Sequence, residues 1–427
     1  KTSRFFLGQS NTQFVSGSLG NLEISSSNFH LTPEGNITAS KGLLENVRIV
    51  GGAADNIITP FDFANPGFIG GGKGNQISSS TNAFIGGGSG NRISGSDTSV
   101  IVGGRENLLD GTLDAAGNTP TIEMAILGGA ENKILHSDKS VIVGGGSNKI
   151  LSDRPELESS NGSRHSFIGG GDNNKITGSA DSAIIGGTNN VIESIPPLSA
   201  VGASAIIGGG TNNNIKHGVL SAIMGGGNND ILHSDNSFIG GGTDNIISGS
   251  TANFSTILGG EENLIDHARY SAILGGEEQI IEAAFGGIGG GRRNKILFDP
   301  DNSNGYNFIG GGLGNVVSQS QYSSLLGTQE STILNSVNSS IVGGRRHKLE
   351  DDSKYSFIGG GNENEISRSL SSVLAGGQYN KILGYRAGAG IDTIGNFLGG
   401  VQENQLIASD YGFIGGGASG SLRGRSD

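Results

Sequence analysis

Short apolar segments separated by paired glycines recur along most of the chain. The phrase Phe68-Ile69-Gly70-Gly71-Gly72-Lys73-Gly74-Asn75-Gln76-Ile77 returns, with substitutions, at Phe84–Ile93, Val100–Leu109, Phe167–Ile176 and Phe238–Ile247. Aligned on the paired glycines, the chain contains 21 copies, and the commonest interval between them is 16 residues. Positions are counted below from the first residue of each copy. These first residues are Arg48, Phe68, Phe84, Val100, Ala125, Val141, Phe167, Ala183, Ala205, Ala222, Phe238, Thr256, Ala272, Gly287, Phe308, Ser324, Ser340, Phe357, Val373, Phe397 and Phe413.

Each copy predicts two short strands joined by a glycine corner. Position 2 is Ile or Leu in every copy, position 4 is Gly in every copy, and position 5 is Gly in all but Thr328 and Val401. Glycines this frequent exclude helix, where each would cost about 1 kcal/mol, but they favour corners because they adopt positive φ and let backbones approach closely. One repeat per turn, stacked at about 4.8 Å, predicts an all-β parallel solenoid roughly 100 Å long. It would have about 21 sixteen-residue coils.

Positions 1 and 3 exchange side-chain volume. Phe167 is followed by Gly169, whereas Ala125 is followed by Leu127. Residues two apart on a strand share a face, so the two side chains are predicted to fill one pocket of fixed size. Position 2 points to the opposite face, so both faces of this strand are predicted to be buried. A lone coil covers only one face, and an identical chain is the simplest second layer, which predicts a parallel homotrimer around a common axis.

Position 8 is Asn in 16 of the 21 copies, and the exceptions are Asp55, Gln279, Ser331, His347 and Gly420. It lies two residues before an apolar residue, so both are predicted to face inward. Stacked amides hydrogen-bond along a column, and Asn also tolerates the left-handed conformation beside the glycine corner. We therefore predict a structural asparagine ladder. Its members include Asn75, Asn91, Asn107, Asn132, Asn148, Asn174, Asn245 and Asn380.

Six short inserts interrupt the period, and all follow the second strand of a coil. They are Thr59–Gly67, Asp110–Glu123, Leu151–Ser166, Glu193–Ser204, Phe298–Asn307 and Gly384–Asn396. Stacking would align them along one corner, and loops on a rigid scaffold are common recognition sites, although tolerated surface insertion is the alternative. The predicted receptor contacts are Phe61, Phe63, Arg154, Arg164, Tyr306, Tyr385 and Arg386.

Three regions are predicted along the chain. Residues 1–46 alternate apolar and polar residues between turn signals and form a β-rich connector. Residues 47–422 form the repetitive solenoid, and residues 423–427 form a tail.

Composition narrows the functional classes. Gly makes up 79 of 427 residues but Pro only 8, without a Gly-X-Y period, so collagen is excluded. The net charge is −12 with Lys and Arg scattered, which argues against a nucleic-acid partner. Cysteine is absent, which is compatible with an oxidising exterior, and no apolar run predicts membrane insertion.

Two resemblances follow from these residues. Between Arg48 and Leu422 the repeat is similar to the head repeats of trimeric autotransporter adhesins, which are left-handed β-rolls, although the double glycine followed by Asn departs from their Ala-rich phrase. The segment Asn21–Ser40 resembles connectors of bacteriophage tail-fibre and tail-tip proteins.

The resemblances imply an extracellular attachment fibre on a virion tail. Its partners would be two further copies of itself, other tail or baseplate proteins bound through the N-terminal region, and a host-surface glycan or protein. A bacterial surface adhesin head is the alternative. Neither resemblance implies a catalytic residue.

The glycine-rich phrases do not fit cofactor or metal sites. A phosphate loop is a single loop between strand and helix, whereas here 21 copies occur without a predicted helix. A calcium β-roll needs Asp where this chain has Gln76. We therefore predict no cofactor and no metal.

Catalysis is not predicted either. In His136-Ser137-Asp138 adjacent side chains point to opposite faces, so the three cannot converge as a triad. Acidic pairs such as Glu277-Glu278 are interpreted as solvated charge. A carbohydrate-degrading β-helix of the tailspike type remains the second alternative, and regular threonine rows, which would favour ice binding, are absent.

Overall fold

The structure is a computed structural model. It describes the backbone of five strands within residues 4–39 and, in full, residues 55–59, 67–111, 123–152, 163–194, 204–298, 305–384 and 393–424. Every regular element in these ranges is a β-strand, which confirms the predicted all-β parallel solenoid of about 20 coils. No helix within these ranges is long and apolar enough to span a membrane.

Each coil contributes one strand to each of two parallel sheets. The first sheet comprises Phe68–Ile69, Phe84–Ile85, Val100–Ile101, Ala125–Ile126, Val141–Ile142, Phe167–Ile168, Ala183–Ile184, Ile206–Ile207, Ala222–Ile223, Phe238–Ile239, Thr256–Ile257, Ala272–Ile273, Gly287–Ile288, Phe308–Ile309, Ser324–Leu326, Ser340–Val342, Phe357–Ile358, Val373–Leu374, Phe397–Leu398 and Phe413–Ile414. The second sheet comprises Ile57–Thr59, Gln76–Ser78, Arg92–Ser94, Leu108–Asp110, Lys133–Leu135, Lys149–Leu151, Lys175–Thr177, Val191–Glu193, Asn214–Lys216, Asp230–Leu232, Ile246–Ser248, Leu264–Asp266, Ile280–Ile281, Lys295–Ile296, Val316–Ser318, Thr332–Leu334, Lys348–Glu350, Glu365–Ser367, Lys381–Leu383, Gln405–Ile407 and Ser421–Arg423.

The turns carry a third ladder that the sequence did not predict. Residues at position 6 form single parallel bridges from coil to coil, beginning with Lys73 to Ser89. This ladder becomes a short strand pair at Gly312–Leu313 with Thr328–Gln329. A second short pair, Ser369–Leu370 with Thr393–Ile394, lies at the corner between the second and first sheets.

The N-terminal strands follow a different topology. They form a five-stranded antiparallel sheet in sequence order. The strands are Arg4–Gln9, Gln13–Ser18, Asn21–Ser25, Phe29–Leu31 and Ile37–Ala39.

The core is narrow and consists of columns. Isoleucine, or occasionally leucine or valine, at positions 2 and 10 is buried in every described coil but the last, as at Ile69 and Ile77. Strands pair in register, so Ile69 stacks on Ile85 and the column continues along the rod. Burial of one branched side chain per strand contributes about 1.5–3 kcal/mol, and the parallel register repeats that contribution in every coil.

Each position 8 asparagine joins the backbones of neighbouring coils. Nδ2 of Asn91 donates to the carbonyl oxygens of Gly87 at 3.0 Å and Gly104 at 2.9 Å. Its Oδ1 accepts from the backbone N–H of Asn107 at 3.1 Å. The amide-to-amide contact with Asn75 is longer, at 3.2 Å, and the two Nδ2 hydrogens are already directed to carbonyls. The column is therefore held mainly by side chain-to-backbone bonds.

We had expected the left-handed conformation at position 8, but the residues at this position do not adopt it. Position 7 adopts it instead, for example Asn173 and Glu106, both at φ 55°. Position 8 does not adopt positive φ in the described coils and directly precedes the strand that carries position 10. The corner bend is therefore completed one residue earlier.

Two coils begin one residue later than the sequence alignment indicated. Ile206 pairs with Ala183, so the coil starts at Ile206 rather than Ala205, and Ala205 is buried. Likewise Ile58 pairs with Ile77, which assigns position 8 to Asn56 instead of Asp55 and moves that start past Arg48. An alignment on the glycines alone leaves the start of a coil uncertain by one residue. The register is decided by which apolar residue of the strand is buried.

Position 5 requires glycine for two reasons. Gly104 has φ 96°, and a β-carbon there would lie 2.1 Å from the carbonyl oxygen of Gly129 in the next coil. Where Thr328 occupies position 5, positive φ moves to the preceding Gly327, at 63°.

Two columns of buried serine complete the interior, and sequence reasoning missed them. One column lies three residues after position 10, where the backbone N–H of Ser96 donates to Oγ of Ser80 at 3.0 Å. The other lies just before position 1, where Ser237 donates in the same way to Ser221 at 3.1 Å. The recurrence of Ser at these two positions was the available signal.

Candidate functional site

A row of apolar side chains covers the outer face of the first sheet and is interrupted only at the coil with Gly287 and Gly289 among the described coils. We call it the apolar stripe, and it consists of the larger side chains at positions 1 and 3. Most of them keep more than a third of their surface exposed, whereas Phe167 and Phe238 are half-buried. The neighbouring position 2 is buried in every described coil but the last. Its most exposed members are Phe68, Phe84, Val102, Leu127, Val143, Ile185, Ile206, Met224, Leu258, Leu274, Phe308, Leu326, Val342, Phe357, Phe397 and Phe413. The single chain thus leaves open the face for which a second layer was predicted.

The exchange of volume between positions 1 and 3 has a direct cause. The ring of Phe167 lies over Gly169, where a β-carbon would be 3.3 Å from Cε1 of the ring. That β-carbon would also lie 2.3 Å from the carbonyl oxygen of Ile185 in the next coil. Where phenylalanines follow each other, as at Phe68 and Phe84, the rings stack with centroids 5.5 Å apart. Phe and Gly therefore form one packing unit on the outside of the coil.

The predicted receptor contacts are mostly beyond what the structure describes. Phe61, Phe63, Arg154, Tyr385 and Arg386 lie outside the described residues. The described flanks show that each insert follows a strand of the second sheet, so all six leave the coil at equivalent places.

Arg164 and Tyr306 are described, and they occupy the corner between the second and first sheets. Arg164 is half-buried, and its carbonyl oxygen accepts from the backbone N–H of Asp181 at 2.8 Å. Tyr306 is 43% exposed and has φ 45°. The two are not neighbours, since they lie several coils apart.

Tyr306 belongs to a row of five stacked rings that sequence reasoning missed. Each ring lies two residues before position 1 of the next coil. Successive centroids are 4.4 to 5.2 Å apart, and successive ring planes are inclined by 3° to 14°. We call this the aromatic row, and its members are Phe254, Tyr270, Phe285, Tyr306 and Tyr322.

The backbone does not require aromatic residues at this corner. All five have φ between 45° and 60°, a region that bulky side chains rarely adopt. Other coils use Asn236 or Asn338 at the same place, with φ of 54° and 55°. Left-handed strain costs about 1–3 kcal/mol per residue, whereas ring stacking contributes about 0.5–1.5 kcal/mol. The left-handed backbone is common to this corner in other coils, so it does not explain why these five coils carry aromatic rings.

The histidines of position 12 lie on the adjoining turn. The rings of His217 and His233 stack with centroids 4.8 Å apart, and burial, followed by the charge of His233, lowers the pKa of His217. No group of three or more metal-ligating side chains occurs in the described part of the chain.

The His-Ser-Asp triplet does not converge. Ser137 is buried, and its hydroxyl donates to the carbonyl oxygen of Leu135 at 3.0 Å inside the coil. His136 lies on the outer turn with φ 53°.

The acidic pairs of the glycine corner form exposed ion pairs. Oε2 of Glu278 lies 2.6 Å from Nε of Arg293, which lowers the pKa of that carboxyl group. A general acid needs the opposite shift.

No protein-family model matches this chain, and no curated protein is detectably similar to it.

Proposed function

We propose that the protein is a structural attachment fibre that works as a parallel homotrimer outside the cell. It would be carried on the tail of a phage or phage-tail-like particle and bind a glycan or protein of the host surface. Its N-terminal region would join it to other tail or baseplate proteins. A bacterial surface adhesin head, with the same rod on a cell, is the alternative.

The apolar stripe is the observation that carries the proposal. A soluble monomer rarely exposes an apolar surface this long, and such a surface usually marks an interface. Because every coil presents its positions 1 and 3 on the same face, a parallel copy in register meets equivalent positions along the whole rod. Three copies around one axis would cover all three stripes with a single sequence.

Recognition is assigned to the corner that carries the inserts and the aromatic row. The interior side chains of the coil are engaged in packing or in hydrogen bonds to neighbouring coils, whereas this corner holds exposed rings in a strained conformation. Weak contacts repeated along the rod and across three chains reach useful avidity without a deep pocket.

The oligomeric state is tested first. Sedimentation should give about three times 43.3 kDa for the native chain. The double substitution Leu258→Glu with Leu274→Glu should dissociate the assembly, since these side chains are 50% and 55% exposed on the stripe. The matched control is Leu220→Glu, which is 61% exposed but lies off the stripe and should leave the trimer intact. A soluble monomeric native chain would contradict the proposed architecture.

Attachment is tested with the labelled trimer on host cells. Shortening Leu151–Ser166 and Gly384–Asn396 to the plain 16-residue spacing should reduce binding while the trimer persists. Unchanged binding after removal of all six inserts, together with the aromatic row, would make this chain a spacer. Appearance of new reducing ends or unsaturated products from host glycans would favour the carbohydrate-degrading alternative.

A further inference from the structure

A groove of about 650 Å³ opens on the turns beside the aromatic row. Its volume lies within the range of about 300–1,000 Å³ typical of small-molecule sites. Its lining includes Asp266, His267, Arg269, Glu282 and Phe298.

Two carboxylates stack in this groove. Asp266 and Glu282 follow the in-register pair Ile265 and Ile281 in consecutive coils, at the strand spacing of about 4.8 Å. Like charges placed side by side on neighbouring strands are destabilising. Asp266 is also held in place, because its Oδ1 lies 2.6 Å from Oγ of Ser248 and 2.9 Å from Nδ1 of His267.

An aromatic ring and a guanidinium complete the lining. Phe298 follows the strand Lys295–Ile296 and is 49% exposed, outside both the core and the apolar stripe. The guanidinium carbon of Arg269 lies 5.6 Å from the ring centroid of Phe285, so the aromatic row orients this cation at the edge of the groove.

This combination matches the chemistry of a sugar. A pyranose has an apolar C–H face that packs on an aromatic ring, and hydroxyl groups that donate to carboxylates and accept from a guanidinium. Two carboxylates face one guanidinium, and this balance disfavours uronic acids, sialic acids and sulfated sugars. The open groove admits a chain rather than a single enclosed ring.

We propose that this groove binds a neutral oligosaccharide, with a sugar face on Phe298 and its hydroxyls on Asp266 and Glu282. The proposal rests on the proposed attachment function and names the ligand class that one part of the corner recognises. It places a recognition site on the coils and on Phe298, the first residue of the insert Phe298–Asn307.

The test is titration calorimetry of the full-length protein with neutral hexasaccharides of glucose, mannose, galactose and N-acetylglucosamine, and with a uronate-containing hexasaccharide. At least one neutral probe should bind, and Phe298→Ala and the double change Asp266→Asn with Glu282→Gln should each raise its Kd at least tenfold. The control is Tyr355→Ala, at an aromatic corner residue that is 64% exposed and lies away from the groove. It should leave Kd unchanged.

Three outcomes would overturn the proposal: no neutral probe binds, the groove variants bind as well as the native chain, or the uronate probe binds best. Hydrolysis of a bound probe would also overturn it, in favour of a catalytic site. The cell-binding assay tests the groove assignment separately from the attachment function. If Phe298→Ala attaches to cells normally, the groove is not the attachment site, but the attachment function is retained. If the native protein binds a neutral probe in solution but does not attach to cells, the groove assignment is retained and the proposed attachment function is wrong.

Discussion

The asparagine ladder has two regions that differ in completeness. From Asn75 to Asn263 it passes through 11 consecutive coils without a substitution, and every member is fully buried. From Gln279 to Asn364 three of six positions are substituted, by Gln279, Ser331 and His347. The coils of both regions have the same fold and the same buried apolar columns at positions 2 and 10. Comparing the two regions therefore isolates the contribution of the position 8 amide to stability.

Every substitution keeps one of the two functions of asparagine. Oε1 of Gln279 accepts from the backbone N–H of Asn294 at 3.0 Å, and Oγ of Ser331 accepts from His347 at 3.1 Å. Nδ1 of His347 accepts from Asn364 at 3.2 Å. The donor function is lost at Gln279 and His347, because Nε2 of each is buried without a well-formed hydrogen bond. The hydroxyl of Ser331 donates to the carbonyl oxygen of Gln329 at 3.2 Å instead of to a glycine carbonyl. An acceptor for the next coil's N–H is thus retained in every coil, whereas the bonds to glycine carbonyls are dispensable in some.

The largest expected effect comes from breaking the complete region. Asn229→Leu removes the acceptor for the backbone N–H of Asn245 and the donor to the carbonyl oxygens of Gly225 and Gly242. Buried polar groups left without partners should cost about 2–5 kcal/mol in total. Hydrogen exchange at the Asn245 amide should accelerate accordingly.

The matched control for that change is the adjacent Asn228→Glu. Residue 228 lies at position 7 with φ 54°, and Glu262 occupies the same position in another coil. The control should leave exchange at Asn245 unchanged. Equal protection in Asn229→Leu and the native chain would refute the role given to the ladder.

A somewhat smaller loss is expected from the glycine corner of the same region. Gly242 has φ 90°, and a β-carbon would lie 2.1 Å from the carbonyl oxygen of Gly260. Gly242→Ala should therefore destabilise the rod by about 1–3 kcal/mol in denaturant unfolding. Gly259→Ala is the control, since a β-carbon there meets no atom within 4 Å. Similar losses for both variants would attribute the effect to chain entropy instead of the close approach of coils.

Sequence patterns predicted the period, the two strands per coil and the inward-facing isoleucines, because glycine spacing and alternation act within a single coil. They did not predict the contacts that depend on how coils stack. Asn91 was interpreted as an amide-to-amide link, whereas its shorter bonds reach Gly87 and Gly104. The buried serines, which bond to the preceding coil, were missed for the same reason.

The candidate site was less predictable than the fold. Tyr306 was assigned to an insert because the interval around it exceeds the period. Aligned backward from position 1, it falls in register with Tyr270 and Tyr322, and that alignment was the available signal. The groove residues Asp266 and Phe298 come from different coils, so only the parallel register brings them together.

Restoring asparagine at the substituted positions of the ladder should stabilise this region, and His347→Asn should have a larger effect than Gln279→Asn. Asn restores a donor for the glycine carbonyls and keeps an acceptor for Asn364, which should raise the free energy of unfolding by about 1 kcal/mol at pH 7.5. Burial lowers the pKa of His347 in the folded chain. As pH falls below the unfolded pKa of about 6.5, the unfolded state takes up the proton first, and stability falls until the folded pKa is passed.

The advantage of His347→Asn should therefore grow between pH 7.5 and 5. Denaturant unfolding at a series of pH values measures this, and His136→Asn is the control on the exposed turn. A constant difference between variant and native chain across that range would show that His347 does not titrate on unfolding as described.

The smallest expected gain in stability comes from Gln279, where a pair of substitutions separates the donor function of the amide from its acceptor function. Its Oε1 already serves Asn294, but its extra methylene leaves Nε2 without a partner. Gln279→Asn should place the donor where the other coils have it, within reach of Gly275 and Gly291, and stabilise the rod by about 0.5–1 kcal/mol. Gln279→Met keeps the length but removes the acceptor, so it should destabilise by about 1–3 kcal/mol. Denaturant unfolding of the pair should give opposite signs, and a loss in both would mean that the coil around Gln279 has adapted its spacing to the longer side chain.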